Sequence, residues 1–212
     1  MKNVALVFVF NFFLVFSISA QGKQDAFSYY DAVSKNFFFG FGMKGNVYVN
    51  RISIQDVEVW KKPTLGVNVF AGHWFSRYIG GRLLFEGGKV NPYFQRRTIM
   101  VEENYVLSRL DLLFDLTNRL CGCTNDRFYN LIPYAGVSGA YVFNTENRPD
   151  HAEKSTSFFF GVGIWNSFRM SQNLSAYLNL GLDIVDANFD GSKNRRNLNG
   201  IASTSIGLAI DF

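Results

Sequence analysis

Eight stretches of this chain alternate apolar residues with small or polar ones at a period of two, and no other feature restricts the fold as strongly. Ile206, Leu208, Ile210 and Phe212 alternate with Ser205, Gly207, Ala209 and Asp211. Leu174, Ala176, Leu178, Leu180, Leu182 and Ile184 alternate with Ser175, Tyr177, Asn179, Gly181 and Asp183. Phe37, Phe39, Phe41, Met43 and Val47 alternate with Phe38, Gly40, Gly42, Lys44 and Asn46. Successive side chains of a strand point to opposite faces, so each stretch presents one apolar face. The pattern predicts strands over 36–50, 63–75, 79–89, 104–116, 129–143, 156–168, 174–186 and 200–212.

The connections differ in length at the two ends. Ser76–Tyr78 and Arg169–Asn173 are short, and Thr117–Phe128 is somewhat longer. The other four, 51–62, 90–103, 144–155 and 187–199, hold the polar runs. An even-stranded meander with short turns on one side and long loops on the other matches a membrane-spanning barrel. The expected fold is therefore all-β: an eight-stranded antiparallel transmembrane up-and-down β-barrel. Aromatic residues at 17% and charged residues at only 18% suit that class. A net charge of +4 is too small for a nucleic-acid footprint, so no nucleic-acid partner is expected.

Residues 1–20 read as a signal peptide: Lys2, an apolar Val4–Phe16 interrupted by Asn11, then Ile18-Ser19-Ala20 with cleavage expected after Ala20. No Cys stands at that point, which argues against a lipoprotein anchor. Residues 21–35 form a polar periplasmic lead-in, and 36–212 the barrel.

Two observations orient the faces. On this reading the apolar face carries no Asp, Glu, Lys or Arg, its polar exceptions being Ser108, Asn166, Thr204 and His73. The opposite face holds eleven glycines (40, 42, 66, 72, 80, 88, 136, 161, 163, 181 and 207), suited to a crowded lumen and not to a wet surface. The apolar face is thus expected to meet lipid. Aromatics gather at strand ends, predicting two girdles. Trp74, Phe75, Phe128, Tyr129, Trp165, Phe168 and Phe212 lie at the short-turn end. Tyr48, Tyr93, Phe94, Tyr105, Tyr141, Phe143 and Phe158 lie at the long-loop end.

With the meander, the segment Asn130-Leu131-Ile132-Pro133-Tyr134-Ala135-Gly136 and the ending Gly207-Leu208-Ala209-Ile210-Asp211-Phe212, the chain resembles the small outer-membrane barrels of the OmpA/OmpX type, and the outer membrane protein β-barrel chains of the Bacteroidota. The resemblance covers 36–212. It implies an integral protein of the outer membrane of a Gram-negative bacterium, among outer-membrane lipids and lipopolysaccharide. It also implies that Ile206, Leu208, Ile210 and Phe212 form an assembly signal for the barrel insertion machinery. No peptidoglycan-binding domain follows the last strand in this sequence, so cell-wall anchoring is not carried over.

The inward face carries Lys44, Arg82, Glu86, Arg109, Asp111, Asp115, Asp183 and Asp211. Charges removed from water must be paired. An ion-pair network plugging the lumen is expected, built from Lys44, Arg82, Glu86, Arg109, Asp111 and Asp183. Cys121 and Cys123 lie in the longer turn, where a strained periplasmic disulfide is possible. Lys193, Arg195 and Arg196 in the last long loop are candidate contacts for anions, from lipopolysaccharide or a host surface. A serine nucleophile needs a base held by a third group, and neither His73 with Ser76 nor His151 has that constellation. No catalytic residue, cofactor or metal site is expected. The reading is a non-enzymatic barrel with a structural or loop-mediated binding role. The alternatives are a narrow porin-like channel and a lipid A-modifying enzyme.

Overall fold

The computed structural model describes residues 37–49, 63–90, 93–94, 99–100, 103–122, 127–143, 156–185 and 199–212. The expected signal peptide and lead-in lie outside them. Eight strands close into one barrel: β1 (Phe37–Val49), β2 (Thr64–Trp74), β3 (Ile79–Val90), β6 (Glu103–Phe114), β7 (Tyr129–Phe143), β8 (Thr156–Arg169), β9 (Leu174–Val185) and β10 (Asn199–Asp211). The remaining pair, β4 (Tyr93–Phe94) and β5 (Ile99–Met100), forms a small antiparallel ribbon in a connection expected to be irregular. Each barrel strand coincides with a predicted segment, no boundary differing by more than two residues.

All barrel pairings are antiparallel, and β10 closes on β1 from Phe38 opposite Asp211 to Val49 opposite Gly200. The ladder ends where the Phe212 N–H donates to the Phe37 carbonyl at 2.8 Å. Closure leaves no edge strand, a condition for β-structure in hydrocarbon.

The faces divide as the alternation requires. Phe37, Phe39, Phe41, Met43, Val67, Val69, Leu110, Leu112, Val137 and Ile206 are exposed on the outside. Two departures stand out. Lys89, at the long-loop end of β3, is exposed on the outward register, so that face is not wholly free of charge. Asn166 has outward register yet is buried, accepting from the Tyr129 hydroxyl at 2.7 Å and donating to the Leu178 carbonyl at 3.1 Å.

The turn after β6 holds a helix that the period-two reading missed. Strand β6 stops at Phe114, two residues early, because Asp115 caps α1 (Leu116–Cys121) by accepting from the Asn118 N–H at 2.7 Å. The Leu131 N–H of β7, beyond the end of β6, donates to the Thr117 hydroxyl at 2.7 Å. The helix therefore continues the wall where the β6 ladder stops. Leu116 packs outside, against the Tyr129–Leu131 cluster that Ile164 and Phe168 also cover. The Arg127 guanidinium donates to the carbonyls of Thr117, Cys121 and Gly122 and holds the helix C-terminus.

Leu110 lies outward at mid-strand, 60% exposed, between inward Arg109 and Asp111. Leu110→Arg is expected to lower stability by ~2–4 kcal/mol, and Leu110→Ala by much less, because the guanidinium would enter hydrocarbon. Denaturant unfolding in lipid vesicles checks the order; equal losses would invert the facing.

Candidate functional site in the barrel lumen

Inward positions of four strands converge at mid-height. Strand β3 supplies Arg82 and Glu86, four residues apart and so on one face; β6 supplies Arg109 and Asp111; β1 supplies Lys44; and β9 supplies Asp183. The β3–β6 register sets Arg82 directly opposite Asp111. All six are almost fully buried, at most 4% exposed.

They form one continuous chain. The Lys44 ammonium donates to the Glu86 carboxylate and lies 3.9 Å from Asp183 Oδ2. Arg109 Nη1 donates to Asp183 Oδ1 at 2.7 Å, and its Nε donates to Asp111 Oδ1 at 2.7 Å. Arg82 donates twice to Asp111 Oδ2, from Nε at 2.9 Å and from Nη2 at 2.8 Å. The order is Glu86–Lys44–Asp183–Arg109–Asp111–Arg82, three cations and three anions. The sum is neutral, the condition under which charges can leave water without heavy cost.

Glycines make the span possible. Gly136 faces Asp111 across β6–β7, and Gly161 faces Asp183 across β8–β9. A Cβ on Gly161 would lie 3.0 Å from Arg109 Nη1. A side chain there would crowd Asp183 Oδ1, 2.5 Å from that Cβ, and the Arg109 guanidinium that donates to it.

The network lies between two apolar layers. Towards the short turns, Phe38, Phe70, Leu84, Leu113, Ile132, Tyr134, Trp165, Tyr177 and Ala209 form a buried cluster, with Trp74 packed against it. Towards the long loops, Tyr105, Leu107, Ala140, Phe159 and Ile201 form a smaller one. The ion-pair network thus sits between these clusters, while neutral polar residues such as Asn46, Thr64 and Ser175 are buried nearer the ends of their strands. Aromatic rings also hold the cations. The Arg82 guanidinium is 4.7 Å from the Tyr134 ring centroid and 5.3 Å from those of Phe70 and Trp165; the Arg109 guanidinium is 5.0 Å from the Tyr134 ring. A cavity of about 10 Å³ remains beside Lys44, Glu86, Arg109 and Asn179, the space of roughly one water.

Inward register placed the six charged residues on the lumen face, but the rings that hold Arg82 were missed. Trp165 and Trp74 were expected in the short-turn girdle and instead face the lumen, because their register is that of Gly161 and Gly72. Tyr105 also points inward, where its hydroxyl accepts from Asn46 Nδ2 at 2.9 Å. Tyr129 is buried beneath α1. Phe75, Phe128 and Phe212 are exposed at the short-turn rim, and Tyr141 and Phe158 at the other. The side chains of Tyr48, Tyr93, Phe94 and Phe143 are outside the description.

Asp115 is not a lumen charge but the helix cap. Burial pushes its carboxyl up to about 6, against stabilising hydrogen bonds from Asn118 and the nearby Arg127. Ile206, Ile210 and Phe212 are exposed on the outer face of β10 and at its end, with Leu208 half-buried. Cys121 ends α1, half-buried, and Cys123 lies outside the described residues. Lys193, Arg195, Arg196 and His151 also lie outside them. His73 sits on the outer face with its ring 4.5 Å from Phe37 and 5.4 Å from Phe75. Among the described residues no three His, Cys, Asp or Glu side chains gather as metal ligands.

No family model matches the chain. Outer membrane protein 40 of Porphyromonas gingivalis is 28% identical over 159 residues, which is 74% of this chain and 36% of that protein. Outer membrane protein 41 of the same organism is 26% identical over 105 residues, 49% of this chain and 26% of that protein. The chain thus spans about a third or less of the relatives it matches. Among solved structures, Neisserial surface protein A aligns over 83% of this chain and 97% of its own, with a TM-score of 0.54 and 10% identity. Outer membrane protein OprG of Pseudomonas aeruginosa aligns over 84% and 96%, with a TM-score of 0.52 and 8% identity. The chain is a small eight-stranded outer-membrane β-barrel. It resides in the outer membrane of a Gram-negative bacterium, and its sequence relatives are outer membrane proteins 40 and 41.

Arg109 bridges two acids, so Arg109→Ala leaves Asp111 and Asp183 short of a partner. It is expected to cost ~3–5 kcal/mol, as is Arg82→Ala, whereas Arg195→Ala should change stability little. Unfolding in vesicles would rank the three variants.

Asp115 carries a pH signature. The folded state holds its proton more tightly than the unfolded chain, so its contribution to stability should fall as pH rises from 3.8 to about 6. Asp115→Asn keeps the cap and should flatten that part of the profile, while Asp115→Ala should lose ~1 kcal/mol with the cap. Unfolding midpoints against pH for the three proteins read both effects.

Proposed function

We propose that this protein is a closed, non-enzymatic scaffold of the outer membrane. It would display its long connections, 51–62, 90–103, 144–155 and 187–199, for binding or adhesion, with the short turns towards the periplasm. The observation that carries the reading is the neutral six-residue ion-pair chain held between two apolar layers, with room for roughly one water. A solute path would have to break that chain and displace rings on both sides. Basic residues Lys193, Arg195 and Arg196 suit phosphate groups of lipopolysaccharide or an acidic host surface. The stripe Ile206, Leu208, Ile210 and Phe212, beside the closing seam, suits recognition by the insertion machinery. Residues 1–20 would direct export.

Planar-bilayer recording tests the closed lumen. The wild type is expected to show no steady conductance, and Arg82→Ala or Arg109→Ala to raise small-ion leakage, with Arg195→Ala unchanged. Steady wild-type channels unaffected by all three variants would replace this reading with the porin-like one.

A further inference from the structure

The rim at the short-turn end combines exposed apolar side chains with guanidinium groups. Helix α1 lies against the β2–β3 turn, where the Asp115 N–H donates to the Tyr78 carbonyl at 2.8 Å and Asn118 Nδ2 donates to the Arg77 carbonyl at 3.4 Å. The Arg119 guanidinium stands 5.8 Å from the Tyr78 ring centroid. On the other side the Arg169 N–H donates to the Phe128 carbonyl at 2.7 Å, and the Phe128 ring lies 6.0 Å from that of Phe168. One band therefore runs from the β2–β3 turn through α1 to the end of β8.

The band is both apolar and cationic. Phe75, Leu120, Phe128 and Met170 are 66%, 65%, 62% and 63% exposed. Leu116 packs on the outer-face cluster, and Leu120 follows it by one helical turn on the same stripe, so it continues the lipid-facing side. Among the described residues of this rim, the exposed charged residues are Arg77 and Arg119; Arg127 and Arg169 are half-buried, Arg169 with inward register. Asp115 is buried in its cap, and Asp211 is half-buried. Exposed apolar side chains beside guanidinium groups fit the acyl–headgroup boundary of a leaflet.

We propose that this band is a docking surface for anionic phospholipid headgroups, with Leu120 and Phe128 inserted at the acyl boundary and Arg77 and Arg119 at phosphate depth. The band is continuous with the lipid-facing wall, and its charge is complementary to phosphate. In the orientation proposed above the leaflet is the periplasmic one, but the lipid chemistry does not depend on that assignment.

The test uses the full chain folded into phosphatidylcholine vesicles, without or with phosphatidylglycerol. Phosphatidylglycerol is expected to raise the urea midpoint of the wild type at low salt, and high salt should remove the rise. An Arg77→Gln/Arg119→Gln variant should lose most of that shift. A rise that survives in the rim variant, or no rise in the wild type, overturns the proposal. A second arm places an environment-sensitive label by Leu120→Cys or Ser171→Cys in a Cys121→Ser/Cys123→Ser background. The label at 120 should be quenched by brominated lipid and that at 171 by aqueous iodide. Equal iodide quenching at both would leave the patch to a periplasmic protein and overturn the proposal. Neither arm reads conductance, so failure of the closed-lumen reading would leave this test intact.

Discussion

A peptide group left unpaired in hydrocarbon costs several kcal/mol, and everything else in this molecule follows from meeting that cost with eight strands. The seam between β1 and β10 removes the last edges. Where β6 stops short of the start of β7, the Thr117 hydroxyl of α1 takes the exposed Leu131 N–H. That one substitution of a side chain for a strand explains why a helix stands in a wall otherwise made of β-structure. The same need for partners is met by Asn166, buried on the outward register, which accepts from the Tyr129 hydroxyl and donates to the Leu178 carbonyl.

Eight strands enclose a space that side chains fill. The lumen is thus the protein's core, and the apolar outer wall belongs to the membrane. Within that core the ionic layer is held by neutrality and by full use of Asp111, whose two oxygens accept from both arginines. Buried ion pairs add little to stability over a well-packed apolar filling, but breaking one strands a charge. Their consequence here is register. A one-residue slip of β6 would turn Arg109 and Asp111 to the lipid and Leu110 into the lumen. The network penalises each such alternative, which an all-apolar lumen would tolerate better.

The short-turn end joins two of these themes. The helix that completes the wall also carries Leu120 outward, and the exposed charged residues described on that rim are Arg77 and Arg119. Wall closure and the proposed leaflet-facing surface thus share one helix, through Thr117 on one side and Leu116 and Leu120 on the other.

The sequence by itself determined the strands, their order and their facing, because a period of two in a narrow barrel has one consistent solution. It also placed Lys44, Arg82, Glu86, Arg109, Asp111 and Asp183 on the inner face, since register parity is readable from the chain. The pairings were not readable. Lys44 meets Glu86 across 42 residues and Arg109 meets Asp183 across 74, distances that only strand stagger brings together. Parity also assigned Trp165 to the inside, yet its place near a strand end suggested the membrane interface; the rings of Phe70 and Tyr177 in the same layer decided otherwise. The signal for α1 was present in Asp115 followed by Leu116 and Leu120, but six residues are too few for a helical period to stand out. What formed that helix is tertiary: a capped turn and a β7 N–H that needed an acceptor once β6 had ended.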